Sequence, residues 1–261
     1  MEVEWRKLRA DELRDAAKQD SIVILPVASI EQHGPHLPVE TDMLIGEAIT
    51  IGTARKLTEQ GERALVLPVM WMGLSEHHMP FGGTITLGLP AFGAVIEDIC
   101  RSLLRHGFRR IVLSNSHGGN ENALRNITDD LTVRLGVPII LFTYYPVAAR
   151  AVKPLLTTQP DIFHACEGET ALMLALRPEL VARDRIPPRS DPPASSGPSL
   201  YRWRSFAVLA ETGAMGNPEA GSAEQGQRML DAIIEQLTER LIDPALWAAS
   251  IFPANRRAAI E

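Results

Sequence analysis

Residues 21–42, SIVILPVASIEQHGPHLPVETD, pass from an unbroken apolar run through a polar loop into the start of an amphipathic segment. Residues 21–28 read as a buried strand, and Leu44, Ile45, Ala48 and Ile49 recur at helical spacing in a helix expected over 42–57. Between these two elements Glu31, His33, His36 and Asp42 place carboxylates and imidazoles just beyond the C-terminal end of a strand.

The same order repeats downstream. Residues 64–70 (ALVLPVM) read as a second strand and lead into Ser75-Glu76-His77-His78. Residues 110–115 (RIVLSN) read as a third and lead into Ser116-His117-Gly118-Gly119-Asn120, and residues 137–144 (VPIILFTY) read as a fourth. Helices are expected near 11–19, from Pro90 to about Gly107, after Asn120 to about Leu135, and over 167–176 (EGETALMLAL). Residues 81–87 (FGGTITL) suit a turn with a short extended segment. Ser222 to Gln225 has capping-box spacing before a last helix with Met229, Ile233, Ile234, Leu237 and Leu241 on its apolar face.

Strands alternating with amphipathic helices predict an α/β fold: a parallel sheet covered by helices on both faces, with the ligand site in the loops at the strands' C-terminal ends. Four or five credible strands, rather than eight, argue against a closed barrel. At 261 residues and 45% hydrophobic composition, residues 1–261 are expected to form one domain. The Pro- and Ser-rich residues 187–198 are expected to be a long surface loop.

A net charge of −6 with no Lys/Arg run supplies no general attraction to nucleic acid or anionic membrane. The charged N-terminus and the lack of a long apolar span predict a soluble, cytoplasmic protein. The two cysteines, Cys100 and Cys166, lack metal-ligand spacing and are read as small buried residues.

Six of the seven histidines fall in the polar motifs, namely His33, His36, His77, His78, His117 and His164, while His106 sits at an ordinary helix end. With Glu31, Asp42, Glu76, Glu167 and Glu169 they make a thiolate-free donor set suited to zinc, manganese or iron(II). One carboxylate can bridge two such ions, and a two-metal site supplies hydroxide at neutral pH and polarises a carbonyl, as amide hydrolysis requires. The plainer reading is that Glu31 and Asp42 cap loops, with Asp42 at a favoured helix start. Gly118-Gly119 permits close backbone approach and could bind an oxyanion, or could form an ordinary tight turn. Neither a Gly-x-Ser-x-Gly elbow nor a phosphate-binding Gly-x-x-x-x-Gly-Lys loop is present. Trp71 and Trp203 are candidates to line a pocket.

The order and spacing of these motifs resemble the creatininase (creatinine amidohydrolase) family. The resemblance rests on Glu31 to Pro38 with Asp42, Ser75 to His77 with Phe81 to Leu87, His117 to Asn120, His164 to Thr170, and the late GAMGNPEAGSAEQG of residues 213–226. It implies a three-layer α/β/α sandwich with a mostly parallel central sheet, a homo-oligomer that is often a hexamer, and two divalent metal ions. It also implies that a metal-bridging hydroxide cleaves a C–N bond in a small cyclic amide or formamide.

Glu31, His33, Asp42 and His117 match the family's metal ligands, with Asp42 as the bridge. Creatininase itself has a glutamate where this chain has Gly119, which puts creatinine in doubt as the substrate and makes Glu169 the candidate fifth ligand. The resemblance further implies that His164 or Glu167 carries a proton to the leaving nitrogen. Glu76, His77, Gly118, Gly119 and Asn120 are then candidates to bind substrate. Cys166 and Ala171 stand where the family usually has Gly and Ser.

Two other readings compete. One is a peptidase trimming a short precursor peptide in cofactor maturation, of the mycofactocin type, which an open groove would favour over a small closed pocket. The other is a non-catalytic, metal-bound oligomeric scaffold, which complete coordination by side chains would favour.

Overall fold

The computed structural model describes residues 1–191 and 202–248. In chain order its main elements are α1 (Ala10–Lys18), β1 (Ile22–Val27), α2 (Thr41–Glu59), β2 (Ala64–Val66), α3 (Leu89–Arg105) and β3 (Arg110–Asn115). They continue with α4 (Glu121–Leu135), β4 (Ile139–Thr143), α5 (Glu167–Leu176) and α6 (Ala223–Leu241). The four strands form one sheet in the order β2-β1-β3-β4, and every neighbouring pair is parallel. Within the register Val27 pairs with Asn115, so the polar loops after β1 and β3 leave the sheet side by side.

All six residues of β1 are buried, as expected of a strand covered on both faces. Its side chains alternate between two cores. Ile22 and Ile24 pack with residues of α2, α5 and α6, among them Ile49, Leu172 and Ile233. Val23, Leu25 and Val27 pack on the other face with Phe92, Ile96 and Leu103 of α3 and Leu124 and Leu131 of α4. The alternation of one strand thus fixes the three layers, which are helices, sheet and helices.

The second strand is shorter than its apolar run. Pro68 has no N–H to continue a ladder. Beyond Val66 only Leu67 and Met70 still donate to β1, to the carbonyls of Ile24 and Pro26, each at 2.9 Å. Residues 81–87 supply the expected extended segment, where Ile85 bridges Ile30 and Thr86 bridges Gly73. These bridges tie the loop after β1 to the loop after β2.

Between β4 and α5, where the sequence shows no clear period, the chain makes short turns over Tyr144–Val147, Ala149–Val152 and Lys153–Leu155. The capping box at Ser222 is present, with Gln225 N–H donating to Ser222 Oγ at 3.2 Å and the Gln225 side chain accepting from Ser222 N–H. Four residues further on, α6 crosses α5 so closely that a Cβ on Gly226 would collide with the Ala171 backbone. That contact sets the first turn of α5 beneath the loops.

Of the loop expected over residues 187–198, positions 192–198 lie outside the described residues. Among the described residues no helix is long and apolar enough to cross a membrane.

Candidate metal centre

The loops following β1, β2 and β3 converge with the first turn of α5. Glu31 Oε2 and Asp42 Oδ2 lie 3.1 and 3.3 Å from His117 Nδ1. The other oxygen of Asp42, Oδ1, lies 3.3 Å from His33 Nε2, and Glu169 Oε2 stands 3.8 Å from that same nitrogen. Four groups bring their ligand atoms within 4.8 Å of one another: two combine Glu31 with His33 and His164 or with His77 and His78, and the other two are the triads Glu31–Asp42–His117 and His33–Asp42–Glu169. Asp42 belongs to both.

The imidazoles are held from behind. His33 Nδ1 is 3.1 Å from the Glu31 carbonyl oxygen and His117 Nε2 is 3.2 Å from the Leu74 carbonyl oxygen. With the ring N–H donated to a carbonyl on that side, the opposite nitrogen turns its lone pair toward the carboxylates, the usual support of a metal-ligating histidine. Ser75 Oγ donates to Glu31 Oε2 at 2.6 Å, and the Ala165 N–H donates to Glu169 Oε2 at 2.5 Å. On the ligand side, the buried atoms Glu31 Oε1, His33 Nε2 and Asp42 Oδ2 have no hydrogen-bond partner. Buried carboxylate and imidazole atoms without partners are costly, and divalent cations in the two triads would satisfy them. The donor set therefore fits the expected metal.

The electrostatics agree. Burial disfavours charge on His33, yet Asp42 and Glu169 outweigh it and raise the imidazole to about 9. His117 is likewise raised well above the usual range, because Glu31 and Asp42 overcome its burial. Burial among carboxylates pushes Glu169 up to about 7 despite the nearby His33. Protons thus collect on the atoms that a cation would contact, and metal binding must displace them.

His164 completes one wall. Its Nε2 is 2.7 Å from the Gln32 carbonyl oxygen, leaving Nδ1 directed at Glu31 Oε1, 3.5 Å away. Burial, then the neighbouring His33 and His78, hold it well below the ordinary imidazole range, so it is neutral at pH 7.

Other sequence candidates fall elsewhere. Glu167 is turned away from the cleft, and its carboxylate accepts hydrogen bonds from the backbone N–H and hydroxyl of both Thr157 and Thr158, and from Gln225. Asn120 holds loops together, accepting from Leu74 N–H at 2.9 Å and donating to the Ala28 carbonyl oxygen at 3.1 Å. Glu76 is exposed and faces an outer groove, whereas His77, Gly118 and Gly119 line both that groove and the inner cleft. His36 is buried against Thr170 Oγ1 at 2.9 Å, and burial pushes it down to about 4. Cys100 and Cys166 are free and buried, and Cys166 Sγ caps α5 by accepting from Gly168 N–H.

His78 was not assigned a role by sequence. Its Nε2 approaches Glu31 Oε1 at 3.4 Å while Nδ1 meets the Gln32 side-chain amide at 2.8 Å. The only signal for it was the His77-His78 pair, and the short 3-10 helix over Glu76–Phe81 decides that Glu76 points out and His78 in. Phe206, also unassigned, packs on His78 and His164 with ring centroids 4.5 and 4.7 Å away.

Gly119, where creatininase has a glutamate, is closely walled in. A Cβ there would meet the His117 ring, the Leu74 carbonyl oxygen at 2.6 Å and the His77 ring at 2.7 Å. No side chain fits between these groups as they stand.

A family model described as creatinine amidohydrolase matches residues 6–241. The chain belongs to the creatininase family. It is 30% identical over 224 residues, 84% of each protein, to the mycofactocin precursor peptide peptidase of Mycobacterium ulcerans (strain Agy99). It is 28% identical over 261 residues to the creatinine amidohydrolase of Pseudomonas putida, covering 92% of this chain and 94% of that one. A crystal structure of creatininase superposes with a TM-score of 0.80 at 26% identity, over 95% of this chain and 98% of that one. Two further creatininase structures, a manganese form and a zinc–zinc type of a variant, match with a TM-score of 0.79 at 26% and 27% identity, each over 95% of this chain and all of the other. The fold is therefore the α/β sandwich of a creatininase-family amidohydrolase, and the chain is a hydrolase of that family.

Proposed function

We propose that this protein hydrolyses the C–N bond of an amide with two divalent ions, one held by Glu31, Asp42 and His117 and the other by His33, Asp42 and Glu169. The observation that carries this reading is the sharing of Asp42 between two buried triads, each with an atom that lacks a partner. Bound there, such ions would supply an activated water and polarise the amide carbonyl.

The chain's own residues do the rest. The Gly118-Gly119 backbone and His77 bound a cleft of about 240 Å³ and orient the amide beside the triads. Phe163, Phe206 and Ile162 give the same cleft an apolar lining that limits water. His164, neutral and with Nδ1 turned to the cleft, is placed to take up a proton and return it to the leaving nitrogen. Glu167, held by Thr157, Thr158 and Gln225, is not needed for that step.

A small cyclic amide or formamide fits the inner cleft. The peptide reading gains from a second feature, a groove of about 650 Å³ that continues from the cleft past His77, Gly118 and Gly119. A homo-oligomeric active form goes with either substrate and is tested by solution mass.

Metal analysis of the purified protein, with turnover of creatinine, formylaminopyrimidines, other cyclic amides and short peptides, tests the proposal. Stoichiometric divalent metal and metal-dependent release of amine support it. If Glu31→Gln and His117→Ala both leave metal content and turnover unchanged, the site assignment fails.

A further inference from the structure

The outer groove carries its own chemistry. Arg202, Trp203 and Arg204 line it together with Glu76 and Leu89. All three residues of this short run are exposed, Trp203 by 54%. Neither arginine takes part in an ion pair among the described residues, whereas nine others in this acidic chain do. Two guanidiniums on alternate residues, unpaired among the described residues and sharing the groove with one carboxylate, Glu76, make a positive end in a protein of net charge −6. The same groove shares His77, Gly118 and Gly119 with the cleft over the ligand triads.

We infer that Arg202 and Arg204 bind a carboxylate on the substrate, so that the preferred substrate is an amide bearing a free carboxylate beyond the bond that is cut. This rests on the amidohydrolase reading above and names its substrate class. Guanidinium groups hold carboxylates through paired, charge-assisted hydrogen bonds, and the indole of Trp203 offers an apolar face to whatever joins the two ends. Peptide C-termini and N-acylated amino acids share this chemistry. The cleft and groove together have the size of ordinary small-molecule sites, so either can be accommodated.

The test uses metal-loaded full-length protein and a paired panel of tripeptides and N-formyl and N-acetyl amino acids, each as the free acid and as the C-terminal primary amide. The expected result is a preference for free acids of about tenfold or more in kcat/KM, expressed mainly in KM. In the R202Q/R204Q double variant the acid-to-amide ratio should fall to near one. This ratio is measured within one protein, so a loss of folded material does not alter it. Turnover confined to tripeptide acids identifies a peptide C-terminus, and turnover of N-acyl amino acids identifies the smaller ligand. Equal use of acids and amides by the wild type, or an unchanged ratio in the variant, overturns the inference. If no member is turned over, calorimetric titration with the same compounds decides it separately. Free acids binding more tightly than amides to wild type only would uphold the arginine site while the hydrolase reading fails, and equal binding would refute the arginine site.

Discussion

Asp42 Oδ2 stands 3.3 Å from His117 Nδ1, while the other oxygen of the same carboxylate is turned to a second imidazole on the far side of the cluster. One short side chain at the start of α2 therefore joins two groups of candidate ligands drawn from the loops after β1 and β3 and from the first turn of α5.

Asp42→Asn is expected to lower occupancy at both metal positions together, because an amide supplies one neutral acceptor oxygen where the carboxylate supplies two. Glu31→Gln and Glu169→Gln each touch one triad and should mainly lower the occupancy of one. Metal content by elemental analysis distinguishes the two outcomes. Activity should fall at least about a hundredfold for Asp42→Asn, the upper end of what is lost when only an outer partner of a ligand is removed. Equal metal loss in all three variants would contradict the shared-ligand geometry.

His164 and Glu167 should behave differently when altered. His164→Gln removes the nitrogen that faces Glu31 and is expected to lower kcat by about 10²- to 10⁴-fold and to change its pH profile. Glu167→Ala leaves the donors of Thr157, Thr158 and Gln225 without their acceptor, which should cost about 1–3 kcal/mol or more of stability. The pH profile of its remaining activity should match that of the wild type. Thermal unfolding and kcat against pH measure both.

Gly119→Ala is expected to destabilise the protein by about 1–3 kcal/mol and to reduce metal content. The added methyl meets the Leu74 carbonyl oxygen, which is backbone and cannot turn aside, and it presses on the His117 ring. Denaturant unfolding and elemental analysis report on each. A glutamate at 119 should not restore activity to Glu169→Gln for the same reason.

Removing metal should give the protein a characteristic pH dependence. His33 is raised from 6.5 to about 9 by Asp42 and Glu169 acting against its burial, so its protonation stabilises the metal-free fold fully below pH 6.5. That contribution is lost as pH rises through about 9 and is on the order of 3 kcal/mol. Glu169, raised to about 7, acts in the same direction, since its stability contribution is present below 4.5 and lost as pH rises through 7. Chelated protein should therefore lose thermal stability between pH 6.5 and 9, whereas metal-loaded protein, whose ligands have already given up their protons, should not. Parallel melts with and without chelator across that range provide the measurement.

Much of this was legible in the residues. Apolar runs, helical periodicity and the capping box at Ser222 located β1, β3, α5 and α6 within a residue or two, because burial on one or two faces imposes those patterns on the chain itself. The candidate donors Glu31, His33, Asp42 and His117 were singled out there too, and the structure brings them together with Glu169, which the family resemblance added. Side-chain direction was not legible. Glu76, His77 and His78 are adjacent and equally polar, and only the tight turn they adopt sends His78 to Glu31 and Glu76 to solvent. Glu167 and Glu169 lie two residues apart at one helix start, so they point to different sides, one to Thr157 and Thr158 and the other to His33.

By itself, then, the sequence determined the layered α/β architecture and the concentration of carboxylates and imidazoles on the loops from Glu31 to Asp42 and around His117. The tertiary structure alone decided that His78 turns to Glu31, that Gly119 is walled in by His117 and Leu74, and that Arg202 and Arg204 line the outer groove. Local patterns record which face of an element is buried, whereas the meeting of side chains across loops far apart in the chain depends on how the sheet and its two helical layers bring those loops together.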